Sequence, residues 1–288
     1  MAERLPDPNP ESAPASERSL SPELASGSGV PAEAVVPDGW FEHAFGADYL
    51  RRYRHRDEEQ AAMEVAFAVA ALRLTPGALV LDLGCGAGRH LGPLLQSGMA
   101  VTGVDLSRDL LAHARAGLGR AAGPPQARLV RVDMRALPFG AKFDAVLSFF
   151  TSFGYFFDEA ENHRVVCEIG RVLRPKGKFL LDLMDRDWVT RELVPHSVRD
   201  EQGVRLEERR WITRDGLRVE KEAIFGEGPT ARRFHESVRM YTLAEVRDFL
   251  ASQGLGVERV VGDFNGLDYV PGRRSRMIIV GSRQRGDA

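Results

Sequence analysis

The chain has 288 residues, 43% hydrophobic and 28% charged, with a net charge of −2. That balance can bury the core of one large domain or two small ones, and it gives no global pull toward nucleic acid or an anionic membrane. The two cysteines, Cys85 and Cys167, cannot build a disulfide framework, and no secretory signal or membrane-length apolar run is evident, so the cytoplasm is the expected location.

Residues 1–37 hold seven of the sixteen prolines among Ser, Glu and Ala, a composition that reads as a disordered tail. The ordered domain is expected over 38–288, opening with the aromatic- and arginine-rich stretch GWFEHAFGADYLRRYRHRDEEQ. A helix follows, with Met63, Phe67, Ala70 and Leu74 at helical spacing on its apolar face, ended by Thr75-Pro76-Gly77.

From Ala78 onward short apolar runs alternate with amphipathic helices, the pattern of a parallel α/β sheet. ALVLDL, AVTGVDL, ARLVRVDM, FDAVLSFF and KFLLDLMD read as five strands in turn. Ser107 is placed to cap the helix DLLAHARAGLGR, and Arg174-Pro175-Lys176-Gly177 closes the helix ENHRVVCEIGRVL, in which Cys167 reads as a core residue. Over 186–241 the pattern changes to charge-rich alternation, with two arms around Asp215-Gly216 and a third at ARRFHESVRMY, which suits a small antiparallel insertion. A helix at TLAEVRDFLASQG and strands at GVERVVGD and SRMIIVGSR complete the chain.

The chemistry-bearing stretch is VLDLGCGAGRH, with Gly84, Gly86 and Gly88 at alternate positions between the first strand and its helix. A dinucleotide loop needs a glycine where this chain has Arg89, and a P-loop needs a Gly-Lys-Ser/Thr ending that is absent. Asp105 ends the second strand nineteen residues after Gly86, where an acid can take both hydroxyls of a ribose. Asp133-Met134 ends the third strand and FFTSFGY ends the fourth.

These four spaced motifs, over roughly residues 78–184, resemble those of class I S-adenosylmethionine-dependent methyltransferases. The resemblance implies a Rossmann-like α/β fold, its seven-stranded sheet mostly parallel with the last strand antiparallel, plus the antiparallel β insertion as a roof over the substrate. It implies S-adenosylmethionine as cofactor, held by Asp82, Gly84, Cys85, Gly86, Gly88 and Arg89 of the loop, Asp105, Leu106, Asp133, Met134 and Phe149 at the strand ends, and Tyr49 from the N-terminal segment. The glycines admit backbone close to the methionine tail, the helix start favours its carboxylate, and Asp82 faces its ammonium side. Cys85 serves as a small filler contributing backbone atoms. Tyr49 closes over the cofactor or simply packs as an interface aromatic; both readings stand.

The expected reaction is methyl transfer to a small-molecule acceptor. FFTSFGY lacks the Asn/Asp-Pro-Pro-Tyr/Phe stretch of nucleobase-amine enzymes, so DNA is set aside. His90 and Tyr155 are the candidate catalytic groups, with Tyr53, Arg89 and Ser152 as further pocket groups. His163 and His235 have weaker claims, since nothing in the sequence pairs either with an orienting acid. No metal is expected. The alternatives are a non-catalytic S-adenosylmethionine-binding regulator and, through the insertion's arginines, an RNA methyltransferase.

Overall fold

The repeating strand–helix pattern folds as one twisted sheet, and the computed structural model describes it over residues 36–46, 49–50, 58–118, 127–200 and 203–284. The predicted tail (through residue 35), Tyr53 and the segment 119–126 lie outside the described residues. Val36, at the tail's predicted end, is buried with Trp40 and Ala44.

Eleven strands are described: β1 (Leu79–Leu83), β2 (Ala100–Asp105), β3 (Arg128–Arg131), β4 (Phe143–Ser148), β5 (Leu173–Met184), β6 (His196–Asp200), β7 (Arg205–Ile212), β8 (Arg218–Phe225), β9 (Arg232–Arg239), β10 (Leu255–Val261) and β11 (Arg276–Arg283). Seven form one sheet in the order β10-β11-β5-β4-β1-β2-β3. β1 pairs in parallel with β2 and β4, β3 with β2, and β5 with β4, whereas β11 runs antiparallel to both β5 and β10. The order reverses at β1, so the carboxyl ends of β1, β2 and β4 open a crevice where α/β sheets bind ligands.

The helices are α1 (Phe41–Ala44), α2 (Glu58–Leu72), α3 (Leu91–Gln96), α4 (Arg108–Leu118), α5 (Glu159–Val172), α6 (Arg186–Glu192) and α7 (Leu243–Ser252). Ser107 caps α4 as its sequence suggests, its Oγ accepting from Leu110 N at 3.2 Å. Two apolar clusters sandwich the sheet, one built around Phe143, Phe179 and Ile169, the other around Val80, Leu94 and Leu147.

Three local expectations need correction. The buried face of α2 is Ala61, Glu64, Val65, Ala68 and Leu72, while Met63 is 46% exposed. The periodicity points to the wrong stripe because an acid, Glu64, belongs to the inner one. Cys167 is only half-buried, standing beside the apolar face of α5 and not within it. β5 begins at Leu173, so Arg174-Pro175-Lys176-Gly177 lies inside the strand, with Lys176 at φ 66°. There Phe143 pairs with Leu173 and Ala145 with Lys178, a register irregularity that absorbs the proline.

The insertion is a four-stranded antiparallel sheet, β6-β7-β8-β9. Its first strand, HSVRD, carries too little apolar alternation to be recognised in the sequence. Arg218 of β8 joins this sheet to the main one. Its side chain is 93% buried and donates to the carbonyls of Gly154, Tyr155, Phe156 and Ser237 and to Ser237 Oγ, at 2.8–3.2 Å. The loop after β4 is therefore held from above by the insertion.

Candidate active site

The glycine loop leaves β1 with Gly84, Gly86 and Gly88 all at positive φ, 75°, 53° and 82°. At Gly84 the demand is steric as well, because a Cβ would stand 2.7 Å from Ser152 Cβ. At Gly88 it would stand 2.9 Å from Ala114 Cβ on α4, so this glycine lets the loop pack against that helix.

The loop faces a cleft at the carboxyl ends of β1, β2 and β3. Gly84, Gly86, Asp105, Leu106, Asp133 and Met134 line it, together with Tyr49, Ser152 and Tyr155. Phe41, Phe45 and Phe156 stand in its wall; for the first two the aromatic density around Trp40 was the sequence signal.

Asp105 accepts Gly86 N at 2.9 Å through Oδ2 and Ser107 N at 2.8 Å through Oδ1, which fixes its orientation. Each oxygen keeps a further lone pair, and the carboxylate can accept from two neighbouring hydroxyls. Burial raises its pKa, partly opposed by the backbone donors Ser107, Gly86 and Leu106. Asp133 is tied to Arg135 by a fork of 2.6–3.1 Å, and although burial opposes it, that pairing holds the carboxyl below its ordinary range.

Behind the loop lies a second set of groups outside the cleft's lining. Asp82 is 1% exposed and its Oδ2 has no partner. Burial, followed by the nearby charge of Asp105, pushes its pKa up to about 7, with Arg89 opposing. Glu64 of α2 accepts from Arg89 Nη2 at 2.7 Å and sits 2.7 Å from His90 Nε2. Burial of Glu64 is outweighed by these two partners, so its pKa is lowered. Arg89 Nη1 is buried with no partner. His90 stacks on Phe149 at 4.0 Å, and burial, opposed by the bond to Glu64, pushes its pKa down.

The structure thus brings nine of the predicted site residues to the cleft and leaves others aside. His90 and Phe149 are buried against each other, and neither lines this cleft or the one beneath the insertion. Cys85 and Gly88 shape the loop from behind, Cys85 N donating to Val104 O at 2.9 Å. Burial raises the Cys85 thiol well above its ordinary pKa, which removes it as a nucleophile. His163 lies 3.2 Å from Ser252 Oγ, outside both clefts, and His235 Nδ1 is buried in the insertion without a partner. Glu64 is the residue that sequence reasoning missed, since an acid on an apolar helix face gives no signal of its own.

A second cleft of about 1100 Å³ adjoins the first beneath the insertion. Phe45, Tyr49 and Tyr155 line both clefts and form the boundary between them. Phe150 and Thr151 enter the second cleft after β4, whereas the next residue, Ser152, faces the first. Arg199, Glu208, Arg210, Lys221 and Glu236 line the roof. The cost of burying Glu208 is outweighed by the charge of Lys221, then by Arg210 and Arg199, each 2.6 Å away, so its pKa is lowered. Among the described residues no cluster suited to a metal ion is found, and no helix is long and apolar enough to cross a membrane.

An adenosine with an amino-acid tail fits this chemistry. The cleft offers a fixed ribose-type carboxylate and aromatic walls, and behind the glycine loop lie an acid with one unpartnered oxygen and a guanidinium with one unpartnered nitrogen. With the sheet order, these features define a class I methyltransferase. A family model for a methyltransferase domain matches residues 80–177. The chain is 30% identical over 224 residues to the cypemycin N-terminal methyltransferase of a Streptomyces species, covering 75% of this chain and 87% of that protein. It is 29% identical over 241 residues to a dTDP-3-amino-3,4,6-trideoxy-alpha-D-glucopyranose N,N-dimethyltransferase of Streptomyces venezuelae, covering 78% and 94%. The solved S-adenosylmethionine-bound amino pentose methyltransferase CalS10 of Micromonospora echinaspora superposes with a TM-score of 0.60 at 27% identity, over 83% of this chain and 95% of that one. The chain belongs to the class I S-adenosylmethionine-dependent methyltransferases, and S-adenosylmethionine is its methyl donor.

Proposed function

We propose that the enzyme methylates an amine on a small-molecule acceptor of amino-sugar type, bound in the cleft beneath the insertion. One observation carries this reading. Among the described residues lining the two clefts there is no histidine, the carboxylates Asp105, Asp133, Glu208 and Glu236 are each engaged by backbone donors or cations, and the phenol at the junction, Tyr155, is pushed well above its ordinary pKa by burial and stays neutral. An alcohol acceptor needs a base to take its proton, whereas a neutral amine attacks through its lone pair. The amino-sugar and peptide-amine relatives support the same choice.

Bound S-adenosylmethionine supplies an electrophilic methyl group. In this reading Asp105 accepts the ribose hydroxyls, Asp82 faces the ammonium and Arg89 the carboxylate of the amino-acid tail. Leu106, Met134 and the aromatic wall enclose the adenine. Tyr49, Phe45 and Tyr155 exclude water at the junction, and alignment of this kind supplies roughly 7–11 kcal/mol of barrier lowering. The arginines of the insertion are paired to Glu207, Glu208 and Glu222, which favours a roof over an RNA groove. A cytoplasmic enzyme accords with its two free thiols.

The test is turnover of labelled S-adenosylmethionine with a panel of amines: dTDP-linked 3-amino sugars, glycine and a short peptide. Methylation of one of them on nitrogen is expected. Methylation of the matching alcohols but of no amine would overturn the reading.

A further inference from the structure

The turn after β4 carries unusual backbone. Phe150 and Thr151 are consecutive non-glycine residues in the left-handed region, at φ 57° and 56°. For a β-branched residue such as threonine that region is a genuine outlier, and outliers of this kind persist only where the surroundings hold them.

Asp182, near the end of β5 and 98% buried, does the holding. Its Oδ2 accepts Phe150 N at 2.7 Å, and its carbonyl accepts Thr151 N at 2.8 Å. Arg276 of β11 donates through Nε to the other carboxylate oxygen at 2.7 Å and lies 5.1 Å above the Phe150 ring. The outcome is a threonine that lines the acceptor cleft, is 93% buried, and has an Oγ1 with no hydrogen-bond partner. Buried hydroxyls without partners are rare, and this one stands where substrate enters. Its chain neighbour Ser152 faces the cofactor cleft, which puts Thr151 beside the boundary between the two.

We propose that Thr151 is the acceptor-reading residue, its Oγ1 accepting a hydrogen bond from an N–H of the attacking nitrogen, with Asp182 and Arg276 as the positioning residues that hold it there. This rests on the amine reading above and adds a requirement to it. The acceptor nitrogen must carry at least one N–H, so primary and secondary amines qualify and tertiary amines do not. In the step itself the nitrogen lone pair forms the new bond to the methyl carbon. The carbon–sulfur pair leaves with the thioether sulfur, and the resulting ammonium releases its proton to water. The enzyme therefore adds up to two methyl groups to a primary amine and forms no quaternary product.

The experiment compares Thr151→Ser, Thr151→Val and Thr151→Gly with the wild type. The probe is the best-methylated amine of the panel, with S-adenosylhomocysteine titration run in parallel. Valine keeps the shape and removes the hydroxyl; glycine removes it while relieving the left-handed strain, so at least one variant folds without penalty. Both are expected to raise the KM and the calorimetric Kd of the amine about tenfold in enzyme saturated with S-adenosylhomocysteine. Serine should stay within about threefold of wild type, and all three variants should bind S-adenosylhomocysteine as wild type does. Asp182→Asn should raise the amine KM while leaving S-adenosylhomocysteine affinity in place. Wild-type amine affinity in both Thr151→Val and Thr151→Gly, or methylation of a tertiary amine, would overturn the proposal while leaving amine methylation intact. If the wild type methylates no amine of the panel, the functional reading falls and the proposal falls with it.

Discussion

With the ammonium of the amino-acid tail beside Asp82, as proposed above, cofactor binding becomes a matter of pH. The Asp82 carboxyl is fully buried beneath the glycine loop with a pKa pushed up to about 7, against 3.8 for an ordinary aspartate. A folded-state pKa above the unfolded one stabilises the fold below the unfolded value, and that contribution is lost as pH rises through the folded value. Over a gap of about three pKa units the ligand-free enzyme gives up about 4 kcal/mol between pH 4 and pH 7. An ammonium placed beside Asp82 reverses this preference, because it favours the ionised carboxyl. S-adenosylhomocysteine, which carries that ammonium, should then bind with proton release below pH 7, and its Kd at pH 6 should be about tenfold that at pH 8. Isothermal titration at constant ionic strength measures it directly. Adenosine, which lacks the amino-acid tail, is the control, since it shares Asp105 but not Asp82. Asp82→Asn should flatten the profile for S-adenosylhomocysteine. A wild-type Kd that changes less than about twofold between pH 6 and 8, or an Asp82→Asn variant that keeps the slope, would refute the placement of the ammonium.

Other outcomes follow from the same geometry. Asp105→Ala should weaken S-adenosylhomocysteine and adenosine alike by roughly 1.5–3 kcal/mol, the worth of charge-assisted hydrogen bonds, as read by titration. Glu64→Gln breaks a buried pair with Arg89 and His90 and should cost about 3 kcal/mol in urea denaturation at neutral pH. Because the Glu64 pKa is lowered on folding, that difference from wild type is present above about pH 4.5 and shrinks as pH falls through the folded value. Arg218→Met strips the donors from the carbonyls of Gly154, Tyr155 and Phe156, and should lower stability by about 3 kcal/mol while weakening cofactor affinity through the displaced Tyr155. Thermal shift with and without S-adenosylhomocysteine separates these two effects.

How much of this was legible in the chain depends on distance along it. The glycine loop, Asp105 and Asp133 were found because strand ends and turns leave local marks: glycine where φ is positive, an acid where an apolar run stops. Ser107 was found as a cap for the same reason. Glu64 and Arg218 were not, because each is a buried charge whose partners lie 19 to 64 residues away, and an isolated acid or arginine looks like surface. The α2 stripe was misread for that cause too, since Glu64 breaks the apolar pattern it belongs to. His90 looked available beside the loop, yet Glu64 and Phe149 enclose it.

The methyl donor was legible without any structure, because the loop, the strand-end acids and their spacing sit in one continuous stretch whose backbone conformation is locally encoded. What lines the cleft beneath the insertion could be read from the folded chain alone. The β4 turn, the end of β5, β11 and the insertion meet there from separate parts of the chain, and their partnership is a property of packing. Thr151 shows the difference most clearly. Its identity is plain in FFTSFGY, but its buried, unpartnered hydroxyl exists because Asp182 and Arg276 hold its backbone from two other strands.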